Sequence, residues 1–165
     1  MKLQDTHYKN EETKCCAPLD VEHYNEKEFH FEGQRFLKGT VISFFHIPLT
    51  INSVMTRLVE KADAVEAYPE FPFWLSDEKG LFAADLLLAV DRDIPGAEIV
   101  LLSGTFLTKT FEGPYSKMGS WIAEMKKYVE SKGKKVKKLY FYYATCPKCA
   151  KHYGKNQTVI FAEVE

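Results

Sequence analysis

The chain has 165 residues, 45% of them apolar, and a formal net charge of −1. That length supports one compact domain with a sizeable core. The balanced charge lacks the electrostatic footprint of a nucleic-acid binder, no apolar run is as long as a membrane span, and residues 1–14 carry no apolar signal segment, so a cytoplasmic protein without nucleic-acid or membrane partners is expected.

In chain order, residues 1–14 are polar, and Cys15-Cys16-Ala17-Pro18 begins the interpretable sequence. Residues 20–28 are charged and predict a short helix or an irregular arm, and Gly33 predicts a turn. A strand over 37–47 follows, then Pro48 and a helix whose Ile51, Val54, Met55, Leu58 and Val59 form one apolar stripe. Strand-like runs at 71–75 and 81–90 flank a hairpin loop at 76–80, and residues 91–96 join the two halves.

The second half repeats this order. A strand over 106–111 reaches Gly113-Pro114-Tyr115, where glycine permits a sharp turn and proline starts a helix. Met118, Trp121, Ile122, Met125, Tyr128 and Val129 recur at helical spacing, and Gly133 closes the helix. Strands at 136–144 and 157–164 end the chain. A slide of 66 positions lays Phe45–Leu49 on Phe111–Tyr115 and Trp74 on Tyr140. The chain therefore reads as residues 1–35, an N-terminal arm, and a domain at 36–165 with module 1 at about 36–92 and module 2 at about 97–165. The fold class expected is α+β: duplicated strand–helix–strand–strand modules forming one curved antiparallel sheet, with two helices on one face. The other face is expected to be free to line a groove.

Three constellations could carry chemistry. Cys146-Pro147-Lys148-Cys149 has the two-residue spacing that lets two thiolates reach one tetrahedral metal, and Cys15 and Cys16 complete a set of four if the arm folds back. His23 and His152 are alternative donors, and the cofactor implied is a structural zinc. A redox Cys-Pro-x-Cys site needs a helix N-terminus after it, whereas this motif follows a strand; four reduced loop thiols are the plainer alternative. Aromatic residues form the second set. Phe71, Phe73 and Trp74 surround Pro72, and Tyr140–Tyr143 run along a strand, which puts rings on both sides of the sheet. They either cover the sheet or stack on a flat or cationic ligand. The acids are third: Asp85 in an apolar strand, Glu163 in the last strand, and Glu112 in the elbow. Each is a candidate to attract a cation or polarise a water, or else an ordinary solvated or salt-bridged carboxylate.

The half from Leu102 to Val164 resembles the GyrI-like small-molecule-binding family. The residues that carry the resemblance are the strand LLSGTFLTKTF, the elbow Gly113-Pro114-Tyr115, the helix bearing Trp121, the Tyr-Tyr strand and the apolar last strand. The first half is similar in element order only. The resemblance implies an aromatic-lined groove with one acid, binding hydrophobic or cationic aromatic compounds, and some members are similar to hydrolases of strained electrophiles. The family's last strand carries a Glu where this chain has Val159, so Asp85 or Glu163 would have to take that role. A stand-alone, cysteine-containing branch without a DNA-binding segment is implied.

The expected ligand contacts are Trp74, Asp85, Tyr115, Trp121 and Tyr142, with Trp121 also suited to a plain core position. Catalysis is open: Asp85, Glu112 and Glu163 are the carboxylates that could activate water beside a tyrosine hydroxyl. A protein-interaction or inhibitory module, with a protein partner, is the third reading.

Overall fold

The computed structural model describes residues 21–45, 47–67, 73–144 and 156–165. A short helix α1 (Val21–Tyr24) leads into the long strand β1 (Lys27–Phe44), which turns into the two-residue strand β2 (Ile47–Pro48) and helix α2 (Ile51–Ala64). Strands β3 (Trp74–Glu78) and β4 (Ala83–Val90) complete the first half. Strand β5 (Ile99–Glu112), a 3-10 turn (Tyr115–Lys117), helix α3 (Met118–Ser131), β6 (Val136–Tyr143) and β7 (Gln157–Val164) form the second. The expected duplication is present: β4 lies between β1 and β3 in the first half as β7 lies between β5 and β6 in the second, and β3 pairs with β6 where the halves meet.

All pairings are antiparallel, in the order β2-β1-β4-β3-β6-β7-β5. The N-terminal part of β1 also pairs with β5, from Lys27 opposite Thr108 to Leu37 opposite Ile99, so the curved sheet closes on itself. This long strand was not expected, because Gly33 reads as a turn. Gly33 (φ 62°) instead makes a bulge inside β1, where the register shifts between Phe31 and Gln34, and its N–H is donated to Ser103 Oγ at 2.7 Å.

Both helices lie on the outer face. Beneath α2, Val54, Leu58 and Ala62 pack on Leu37, Val41, Leu86 and Leu88. The helix approaches closely because Gly39 has no side chain: a Cβ there would sit 2.7 Å from Val54 Cγ1. Beneath α3, Trp121, Met125 and Val129 pack on Leu107, Phe111, Phe141 and Ile160.

The inner face departs from expectation. It is closed over by the β1–β5 pairing and filled by rings, among them Tyr24, Phe29, Phe31, Phe36, Phe73, Phe106, Tyr140, Tyr142 and Phe161. Burying one such ring contributes about 1.5–3 kcal/mol, so this face is a core and not an open groove. Tyr24 is fully buried and meets Tyr142 edge-on at 5.8 Å, while Thr108 Oγ1 donates to its carbonyl. Asn25 Oδ1 accepts from Thr110 N–H, which fastens the residues after α1 to β5.

Candidate functional site between the two helices

The strip of outer face where β3 meets β6 lies between the apolar clusters of α2 and α3. Ser76 stands opposite Phe141 there. Alternation along each strand then places Trp74, Ser76 and Glu78 of β3 on the same side as Phe141 and Tyr143 of β6. Tyr143 O–H donates to Glu78 Oε1 at 2.9 Å, and Ser76 Oγ donates to the same oxygen at 3.1 Å. Tyr115, from the turn that starts α3, meets Tyr143 edge-on at 5.6 Å and is 43% exposed. Phe141 stacks parallel to Tyr143 at 6.1 Å.

Burial pushes the Tyr143 phenol far above its ordinary range, and the nearby negative Glu78, which also accepts its hydrogen bond, pushes it further. The hydroxyl is thus a firm donor at any neutral pH. A carboxylate that accepts from two hydroxyls, set among aromatic rings, offers negative charge for a cation and a base within reach of a water.

The opposite face of the same strands holds a second polar group. Asp77 and Asp85 face each other across β3 and β4. Lys138 lies 2.8 Å and Lys79 2.9 Å from Asp77, and Lys38 lies 3.5 Å from Asp85, whose Oδ1 accepts from Thr40 at 3.3 Å. Two like charges directly opposite are unfavourable unless neutralised, and the lysines do that. Tyr140 beside them is pushed up to about 12, first by burial and then by Asp77 and Glu163, with Lys79 opposing.

The sheet therefore divides the residues expected to share one site. Trp74 and Tyr115 are on the outer strip; Tyr142 and Asp85 are on the inner side. Trp121 is buried in the α3 core, stacked on Phe111 at 5.7 Å. Glu163 is also on the inner side, 3.5 Å from Lys137, and Glu112 is exposed at the end of β5 opposite Gln157. Cys15, Cys16, Cys146, Cys149 and His152 lie outside the described residues, as do Phe71 and Pro72. Among the described residues no group of His, Cys, Asp and Glu side chains is placed to hold a metal, and no helix is long and apolar enough to cross a membrane.

Sequence reasoning missed Glu78 because Ser-Asp-Glu-Lys-Gly reads as a hairpin loop, whereas β3 runs through Glu78 and pairs it with Ala84. The slide of 66 positions also misleads here. It superimposes Trp74, which faces α2, on Tyr140, which faces the inner core. An alignment off by one residue puts every side chain on the wrong side of the strand. The separation of Glu78 and Tyr143, 65 positions, keeps both on the outer face.

The fold is GyrI-like, as the second half's resemblance implied. A hydrolase from Listeria innocua superimposes with a TM-score of 0.62 at 15% identity, over 86% of this chain and 92% of that one. The C-terminal domain of EcmrR gives 0.54 at 15% identity, over 86% and 98%. SAV2435 bound to tetraphenylphosphonium gives 0.50 at 13% identity, over 86% and 94%. No curated protein matches the chain. The family model described as "Bacterial hydrolase" matches residues 6–164, and the chain belongs to that family.

Proposed function

We propose that the protein binds a small, flat, apolar or cationic aromatic compound on the outer strip, with Glu78 facing the positive end and Tyr115, Tyr143 and Trp74 as ring contacts. The observation that carries this reading is the Glu78 carboxylate held by Tyr143 and Ser76 among aromatic rings. A cation over ring faces is stabilised by roughly 0.5–2 kcal/mol per contact, and a fixed carboxylate in a partly desolvated place adds charge attraction. The tetraphenylphosphonium-bound neighbour, a protein of the same fold, supports a cation of this kind. Titration with tetraphenylphosphonium tests it: saturable binding that Glu78→Gln weakens is expected, and binding unaltered in the variant would sink this placement.

A second reading, hydrolysis in the same place, is favoured by the family to which the chain belongs and by the pairing of a carboxylate with a phenol that keeps its proton. Glu78 would take a proton from water as the water oxygen bonds to an electrophilic carbon. The bond from that carbon to its leaving atom breaks; Tyr143 O–H turns from Glu78 to hydrogen-bond the leaving atom as charge develops on it. The proton that Glu78 took from water then passes to that atom, leaving Glu78 ionised again. Incubation with a strained electrophile such as styrene oxide separates the two readings. Catalytic appearance of the substrate plus water, lost in both Glu78→Gln and Tyr143→Phe, supports hydrolysis; a ligand returned at its original mass supports binding alone.

A further inference from the structure

Three phenylalanine rings outside any core cluster lie against one another at the tips of two neighbouring turns. Phe44 ends β1, Phe45 follows it in the turn, and Phe82 precedes β4, with centroids 4.7 Å apart for Phe44 and Phe45 and 5.7 Å for Phe45 and Phe82. Each is more than half exposed. Phe45 also sits in the left-handed backbone region (φ 47°), which a bulky L residue rarely adopts. Its exposed ring gains no core burial that would offset this strain, and unrewarded strain at a surface ring points toward a binding role.

The position of the rings says which surface they extend. Ser43 N–H is donated to the Phe82 carbonyl at 2.9 Å, which continues the β1–β4 register one step past Ile42 opposite Ala83. Phe82 is thus two residues before Ala84, on the same face, and Ala84 is the direct cross-strand partner of Glu78. Phe45 stands in the turn before α2 as Tyr115 stands in the turn before α3, and Tyr115 rests on Tyr143, the donor to Glu78. The two turns bracket the strip from its two ends.

We infer that Phe45 and Phe82 form an aryl subsite of the outer strip, holding the apolar ring of a ligand whose positive end lies at Glu78. This rests on the binding function proposed above and adds what it leaves open: selection among cations by an aryl substituent, through rings of the first half.

The experiment compares benzyltrimethylammonium with tetramethylammonium by calorimetric titration of the full chain, in the wild type, Phe82→Ser and Phe45→Gly, with thermal unfolding of each. The subsite predicts at least a fivefold loss of benzyltrimethylammonium affinity in both variants, with tetramethylammonium affinity unchanged. It also predicts that Phe45→Gly unfolds at the wild-type temperature or above, since glycine accepts φ 47° without strain. A ring with a merely structural role would give the reverse, lower unfolding temperature and unaltered selectivity. If the wild type binds and both variants keep its preference for the aryl cation, this inference fails while the Glu78 placement stands. If the wild type binds neither cation, the functional reading fails and the subsite with it. Concentration-dependent dimerisation or vesicle binding abolished by the same variants, without a change in aryl selectivity, would assign the rings to another occupant and overturn the subsite.

Discussion

Tyr143 and Glu78 come from different halves of the chain, 65 positions apart, and share a hydrogen bond of 2.9 Å across the line where the halves meet. The bond joins β3 to β6, whose backbones are in register only at Ser76 and Phe141. A phenol in one module and a carboxylate in the other make one site that neither half could form alone.

The tyrosines set an alkaline limit. Tyr143 and Tyr140 both titrate above the ordinary value of 10.0, mainly through burial, Tyr140 at about 12. Their folded pKa is raised, so above about pH 10 the unfolded chain loses protons that the folded chain retains. Their stabilisation is full below pH 10 and is lost as pH rises through the folded values. Urea unfolding across pH 9–12, a window running from below the ordinary phenol value of 10.0 to the raised Tyr140 value of about 12, is expected to show stability falling above pH 10, with a shallower fall in Tyr140→Phe. An equal slope in that variant would mean that Tyr140 does not retain its proton.

Gly39→Ala is expected to loosen α2 without touching the Glu78 strip. The added methyl would meet Val54 Cγ1 at 2.7 Å and Leu58 Cδ1 at 3.1 Å, so the helix must lift or repack. Overpacking of this kind destabilises by about 1–3 kcal/mol, readable as a lowered urea midpoint. A midpoint equal to the wild type would show that α2 is not packed this closely.

The four cysteines are expected to hold one structural zinc. The support from the described residues is that Tyr24, eight positions after Cys16, packs at 5.8 Å on Tyr142, four positions before Cys146. Four thiolates would close the coordination shell and leave no open position for chemistry. A native mass spectrum of chelator-free protein should carry a zinc increment that acid removes and that Cys146→Ser abolishes. A metal-free mass would contradict the clamp.

Much of the architecture was legible because periodicity reports burial directly. The stripes Val54–Leu58 and Trp121–Met125–Val129 are the buried faces of α2 and α3. What was not legible came from long-range pairing. Nothing local in residues 27–34 shows that they extend β1 and close the sheet on β5, and without that closure the inner rings read as a groove lining. Asp85 drew attention as an acid in an apolar run, yet its charge is met by Lys38 and Lys79, which the sequence places 47 and 6 positions away. Glu78 hid in a polar run whose strand character depends on its pairing with Ala84. Phe44 and Phe45 read as strand residues, and only the turn geometry exposes them.

The measurement that tests the central claim most directly is calorimetric titration of Glu78→Gln and Asp85→Asn with tetraphenylphosphonium and with neutral tetraphenylmethane-like analogues made soluble by a polar tail. The Glu78 site predicts that Glu78→Gln loses about tenfold in cation affinity and little for the neutral compound, while Asp85→Asn, on the far side of the sheet, keeps wild-type binding of both. Cation affinity lost in Asp85→Asn and retained in Glu78→Gln would contradict the account and move the site to the inner side of the sheet.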